Sequence, residues 1–126
     1  MEIDLPEVVA EVRAAFERYE KALNANDVDV LDASFWNDSR TIRYSLTDNG
    51  YGFEAIHASR LARPRADMTR VIMRTVITTF GRDLATANTE FQRTESGRRG
   101  RQSQTWVRMP EGWRVVSAHV SFLPAT

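Results

Sequence analysis

Two polar side chains interrupt the apolar patterns of this sequence, and both are capable of chemistry. Tyr19 lies on the apolar stripe of a predicted N-terminal helix, where its hydroxyl group needs a hydrogen-bond partner. Arg43 lies in the alternating segment RTIRYSL, and its guanidinium group enters the interior if the Thr41 side of that strand faces the core. A buried guanidinium group requires an anion or a polar network. The alternatives are a core tyrosine bonded to a backbone carbonyl and an edge strand with Arg43 in solvent.

The final segment, residues 97–123, adds polar side chains on one face of a predicted hairpin. Its strands alternate polar and apolar residues on either side of the turn MPEG. A three-residue loop puts Met109 opposite Trp113 and sets three pairs on one face: Trp106 with Val116, Gln104 with Ala118, and Gln102 with Val120. His119 then lies on the other face, and a shift of one residue brings it to the glutamine face instead. We expect Gln102, Gln104 and Trp106 to bind substrate, with His119 as a secondary candidate.

Guanidinium, carboxamide and phenol groups together suit the binding of a small carboxylate or ureido anion. The arginine binds the carboxylate, the carboxamides contact amide edges, and the phenol donates or shuttles a proton. Arg63 lies three residues after Arg60 on one face of a later predicted helix, and we include Arg63 among the candidate substrate-binding residues. A solvated charged face is the commoner explanation for such a pair.

The sequence lacks the residues that several other classes of functional site require. The chain has no cysteine and two histidines, His57 and His119, in no metal-binding motif, so we expect neither a metal nor a cofactor. Seventeen basic residues balance seventeen acidic ones, which argues against a nucleic-acid partner. No apolar run approaches the length of a membrane span, and Glu2 and Asp4 stand where a signal peptide carries positive charge. We therefore expect a cytoplasmic protein without membrane contact.

The elements that position these residues follow from hydrophobic periodicity. Helices are predicted from about residue 6 to 25, over a short segment capped by Asn26 or Asp27, and over 53–63. From Met68 onward the period becomes two, which predicts four successive antiparallel strands. The predicted fold class is α+β, with a strongly curved antiparallel sheet wrapped around the N-terminal helices as a cone. We expect residues 1–126 to form one domain, and cones of this kind tend to pair as homodimers through the outer sheet face.

Several blocks of the chain resemble the AtzH-like family of the nuclear transport factor 2-like superfamily, whose members include the HpxZ-like proteins of oxalurate catabolism. The blocks are FWNDSRTIRYSLTDNGYGFEAI, ARP, QSQTWVR and GWRVVSAHVS. The resemblance implies a decarboxylating amidohydrolase that converts 1,3-dicarboxyurea to allophanate beside an amidase and its small subunit. It also implies functional roles for Tyr19 and Arg43.

Three functions remain open at this point. In the first, Arg43 orients a ureido dicarboxylate and Tyr19 delivers a proton to it. In the second, the protein is a non-catalytic carrier that holds an unstable carboxylate for the partner amidase. The third is a metal-free isomerase or dehydratase, which usually places an Asp or His base in the cone.

Overall fold

The computed structural model describes residues 1–64 and 68–125. In this part of the chain the elements run in the order α1 Pro6–Ala25, α2 Val28–Ala33, β1 Ile42–Tyr44, β2 Asn49–Tyr51, α3 Phe53–Ala62, β3 Arg70–Phe80, β4 Leu84–Arg93, β5 Arg99–Met109 and β6 Gly112–Phe122. The three predicted helices and the four long strands are confirmed. The short β1–β2 pair occupies a region where the pattern predicted one strand and a turn.

Helix α1 supplies one wall of the core because its apolar residues recur every three or four positions. Pro6 begins the helix, and Asn26 ends it in the left-handed conformation with φ 51°. The stripe from Val8 to Leu23 is buried against the sheet, and Tyr19 lies within it at 5% exposure. Asp27 caps α2 by accepting a hydrogen bond from the backbone N–H of Val30.

The strands form a single sheet in the order β2-β1-β6-β5-β4-β3. Its pairings are antiparallel except that β1 runs parallel to β6. The helices pack on the inner face, where aromatic and aliphatic side chains of both layers meet in one core. Two β-bulges bend the strands, one between Ile72 and Arg74 in β3 and one beside Thr105 and Trp106 in the β5–β6 pair. The α+β class and the curved sheet around the helices are confirmed.

The final hairpin differs from the prediction at its tip. Met109 pairs with Gly112, so the loop has two residues and Trp106 pairs with Val115. The predicted pairs of Met109 with Trp113 and of Trp106 with Val116 are therefore wrong. Gly112 permits the tighter turn because it adopts φ 124°, which other residues rarely do.

The bulge then restores the predicted register farther along the hairpin. It adds one residue to β6 opposite Thr105 and Trp106, so that Gln104 pairs with Ala118 and Gln102 with Val120, as expected. The inner face of β5 is thus the face that the alternation predicted. In the described residues, no helix has the length and apolar character that crossing a membrane requires.

Candidate functional site

A cavity of about 350 Å³ opens between α1, β1, the end of α3 and the inner face of the sheet. Its polar lining comes from every one of these elements and includes Tyr19, Arg43, Ser59, Arg63, Arg70, Arg93 and Gln102. The apolar lining comes mainly from α1, β6 and the approach to β3, and includes Leu23, Met68, Ala118, Val120 and Phe122. The cavity therefore has a strongly cationic side and an apolar side.

Arg43 points inward because Thr41 and Arg43 lie on the face of the β1 segment that meets the core. Thr41 is fully buried and Arg43 is 8% exposed, which rules out the interpretation of an edge arginine in solvent. The Nη2 of Arg43 donates to Ser59 Oγ at 3.0 Å, while its Nε has no hydrogen-bond acceptor among the described residues. Burial, followed by repulsion from Arg60, lowers the pKa of Arg43 to about 10.

Arg63 follows the last turn of α3 and lines the same cavity, as expected. Its Nε and Nη2 are buried, and within residues 1–64 and 68–125 neither has an acceptor. Burial is the largest effect that lowers the pKa of Arg63, and the charge of Arg60 adds to it. Both Arg43 and Arg63 thus present donors that an anion can satisfy.

Arg60 behaves differently from its neighbours and is not part of a solvated charged face. It is 2% exposed and donates to Asp32 Oδ1 at 2.7 Å, while the other oxygen of Asp32 lies 2.5 Å from His57 Nδ1. The positive charge of Arg60 is therefore compensated by Asp32, which does not line the cavity. Arg43 and Arg63 form no ion pair within the described structure, although the charge of Asp48 reaches Arg43, so the excess positive charge lies at the cavity.

Tyr19 and Gln102 belong to a buried polar network on the opposite wall of the cavity. Arg70 donates from Nε and Nη2 to the two carboxylate oxygens of Glu20, and its Nη2 also donates to Gln102 Oε1 at 2.5 Å. Gln102 Nε2 in turn donates to the Tyr19 hydroxyl oxygen at 3.2 Å. The alternative interpretation of a core tyrosine bonded to a backbone carbonyl is therefore wrong, because the hydroxyl group of Tyr19 belongs to this side-chain network.

Three of the expected substrate-binding residues do not line the cavity. Gln104 and Trp106 lie deeper in the cone, at 2% and 1% exposure, and Trp106 Nε1 donates to Gln104 Oε1 at 3.1 Å. His119 lies on the outer face, exposed, opposite Ser103 and edge-on to the Tyr44 ring at 5.5 Å between centroids. Gln104 and Trp106 were expected in the cavity and are instead covered by core side chains, whereas His119 lies on the outer face, as the favoured register predicted.

Four residues of the site were not found from the sequence: Glu20, Ser59, Arg70 and Arg93. A signal for Glu20 exists, since it lies four residues after Phe16 and eight after Val12 on the buried face of α1. Arg70 in β3 and Arg93 in β4 lie opposite each other in the strand register, at the open end of the sheet. Arg70 lies over the Phe91 ring at 4.4 Å, so an aromatic side chain supports its guanidinium group.

The chemistry available in this cavity is anion binding and proton donation. Among the described lining residues none is Asp, Glu or His, so they offer no carboxylate or imidazole to remove a proton from carbon or to activate water. The guanidinium groups can hold carboxylates with charge-assisted hydrogen bonds. The phenol of Tyr19 lies close enough to Arg43 and Arg63 to interact with both charges.

Comparison with known proteins gives a consistent family and fold. A model of the AtzH-like family matches residues 1–126. A crystal structure of a DUF3225-family protein of unknown function from Pectobacterium atrosepticum is 57% identical, with a TM-score of 0.94 and coverage of 97% of this chain and 95% of that one. A protein with a cystatin-like fold from Burkholderia xenovorans is 44% identical, with a TM-score of 0.94 and coverage of 100% and 99%.

A more distant structure shares the fold alone. It is a nuclear transport factor 2-like superfamily protein from Salmonella enterica, 22% identical, with a TM-score of 0.77 and coverage of 95% of this chain and 94% of that one. No match was found among curated proteins.

Proposed function

Because the chain belongs to the AtzH-like family of the nuclear transport factor 2-like superfamily, we propose that it is a decarboxylating amidohydrolase acting on a ureido dicarboxylate. The proposed substrate is one such as 1,3-dicarboxyurea, with allophanate as the product. One observation supports this proposal above the others: a phenol lies near two guanidinium groups that keep buried N–H donors without acceptors, in a cavity with no carboxylate among its described lining residues.

Substrate binding rests on Arg43 and Arg63. A hydrogen bond between charged partners contributes about 1.5–3 kcal/mol, and more of it is retained where water is excluded. The carboxylate that stays in the product binds to these guanidinium groups and satisfies their buried N–H donors. The ureido plane then extends toward Tyr19 and Gln102.

The reaction is the loss of one N-carboxylate as carbon dioxide. The C–N bond breaks, its electron pair stays on nitrogen, and Tyr19 delivers a proton to that nitrogen. One proton is consumed, and the dianion becomes the monoanion allophanate and carbon dioxide. The phenolate that remains is stabilised by Arg43 and Arg63, and it regains a proton from water after the product leaves.

The apolar side of the cavity assists the departing group. Leu23, Met68 and Val120 line this side and offer the departing carboxylate no hydrogen-bond donor. A carboxylate held on this apolar side loses its hydrating water, which destabilises its negative charge. The reaction relieves this destabilisation, because the charge passes to nitrogen and the carboxylate leaves as carbon dioxide. Separate cationic and apolar sides thus distinguish the retained carboxylate from the departing one.

A carrier of an unstable carboxylate for a partner amidase is the second candidate function. The lack of an Asp, Glu or His among the described lining residues favours it, because binding needs only the guanidinium groups. A carrier binds the dianion without accelerating the release of carbon dioxide, whereas an enzyme does both.

The experiment compares Arg43→Gln and Arg63→Gln with Arg101→Gln, which removes an exposed arginine outside the cavity. Calorimetry with malonate, an unreactive dianion, measures binding, and carbon dioxide release from 1,3-dicarboxyurea generated in situ measures turnover. We expect the two cavity variants to lose about 10- to 100-fold in malonate affinity and Arg101→Gln to bind as the wild type does. Wild-type affinity in both cavity variants would refute the proposed site.

A further inference from the structure

The hydroxyl group of Tyr19 lies at the end of a chain of four buried side chains from three elements. Glu20 and Tyr19 come from α1, Arg70 from β3 and Gln102 from β5, and each is between 5% and 8% exposed. The bonds run from Glu20 to Arg70, from Arg70 to Gln102, and from Gln102 to Tyr19. The proposed binding of the anion by Arg43 and Arg63 does not use this chain.

The direction of every bond in the chain is fixed by the chemistry of arginine. A guanidinium group has only donors, so the atom of Gln102 that meets Arg70 must be the carbonyl oxygen Oε1. The amide nitrogen Nε2 then faces Tyr19 and donates to the hydroxyl oxygen. Rotating the amide by half a turn would set its NH2 group against the Nη2 donor of Arg70, which leaves no hydrogen bond there.

The phenolic proton is consequently not used in the network. The Tyr19 oxygen accepts from Gln102 Nε2, so its own hydrogen must point away from Nε2, and Tyr19 is one of the residues that line the cavity. Glu20 makes the arrangement stable, because it neutralises Arg70 and holds its guanidinium plane through two bonds. The Phe91 ring at 4.4 Å supports the same guanidinium group on its face.

We propose that Gln102 is a positioning residue, oriented by the Glu20–Arg70 ion pair, that holds the Tyr19 hydroxyl with its proton turned into the cavity. Its consequence for turnover rests on the proposed function, in which Tyr19 gives that proton to the substrate nitrogen. The orientation itself does not depend on the proposed function. It follows from the donors and acceptors of four side chains.

Neutron diffraction on crystals of the deuterated wild-type protein tests the orientation directly. We expect deuterium on both positions of Gln102 Nε2, one of them directed at the Tyr19 oxygen, and the Tyr19 deuteron directed into the cavity. A Tyr19 deuteron on the line to Gln102, with the amide oxygen facing the tyrosine, would overturn the proposal. This measurement needs neither substrate nor activity.

Gln102→Glu tests the consequence for turnover with a side chain of nearly the same shape. A carboxylate accepts from Arg70 and also from the Tyr19 hydroxyl, so it turns the phenolic proton out of the cavity. We expect kcat to fall by about 100-fold or more, the range for loss of a proton donor, while the protein stays folded. Gln92→Glu adds the same charge outside the cavity and is expected to keep the wild-type kcat.

The outcomes distinguish the positioning role of Gln102 from the proposed function of the protein. A folded Gln102→Glu variant whose kcat matches the wild type, with only KM raised by the added charge, would overturn the positioning role. A wild-type protein that releases no carbon dioxide would refute the proposed function, and the neutron map would still decide how the hydroxyl is oriented.

Discussion

Replacing Tyr19 with phenylalanine removes one oxygen atom from the cavity and leaves the packing of the ring in place. The ring lies tilted against Phe35 with 6.2 Å between centroids, and that contact does not involve the hydroxyl group. Gln102 Nε2 loses its acceptor, and an unsatisfied buried donor costs about 1–3 kcal/mol of folding free energy. A chain of this size should then melt several degrees lower but remain folded at 25 °C.

The effect of Tyr19→Phe on turnover is expected to be larger than its effect on binding. Loss of a general acid lowers kcat by about 10²- to 10⁴-fold, whereas Arg43 and Arg63 still hold the dianion. The assay follows carbon dioxide release at saturating 1,3-dicarboxyurea and malonate binding by calorimetry. Tyr51→Phe is the matched control, since Tyr51 is 62% exposed and lies outside the cavity. Full turnover in Tyr19→Phe would refute the reasoning, and so would equal losses of binding and turnover.

Three further predictions concern stability and the limits of the site. The pKa of Arg43 in the folded protein, about 10, lies below the ordinary value for arginine. The charge of Arg43 therefore opposes folding at every pH below about 10, and this cost falls as the pH rises above 10 toward the ordinary pKa. Arg43→Gln is therefore expected to raise the melting temperature at pH 7 while weakening malonate binding; a lower melting temperature would contradict this. Gly100→Ala is expected to destabilise the protein by about 1–3 kcal/mol in urea unfolding, because its Cβ would collide with the Phe91 ring; unchanged stability would show that the ring moves freely. His119→Ala is expected to keep kcat and KM because the imidazole lies on the outer face; a loss of turnover would place it in the mechanism.

The strand alternation predicted the inner face of the hairpin but not the depth of each residue. Gln102, Gln104 and Trp106 share that face, as expected, and only Gln102 reaches the cavity. A period of two gives the side of a sheet to which a residue points. How far along the cone each residue lies depends on the helices that cover it, and no local pattern carries that information.

Bulges interrupt the alternation of inward and outward residues in β3 and in the final hairpin. In β3 the buried residues Ile77 and Thr79 have odd numbers, and counting back by two assigns Arg70 to the outer face. The irregularity between Ile72 and Arg74 reverses the alternation and turns Arg70 inward toward Glu20. In the final hairpin a bulge compensates for the shorter loop. Neither bulge contains a glycine or another residue that marks it in the sequence.

Tyr19 and Arg43 were predictable because each violates a strong pattern. A phenol on an apolar helical stripe and a guanidinium group among inward residues both demand a partner. The partners were harder to find, since Gln102 lies 83 residues from Tyr19 and Ser59 lies 16 from Arg43. The convergence of these residues on one cavity is a property of the folded chain rather than of any segment.

The fate of the two carboxylate carbons tests the central claim most directly. With 1,3-dicarboxyurea labelled with ¹³C at both N-carboxylates, carbon NMR follows the label in the presence and absence of the protein. We expect the wild-type protein to accelerate the appearance of labelled carbon dioxide and bicarbonate, with one label retained in allophanate, and Tyr19→Phe to abolish the acceleration. Both labels remaining in a bound dianion that decays no faster than in buffer would contradict catalysis and leave a carrier.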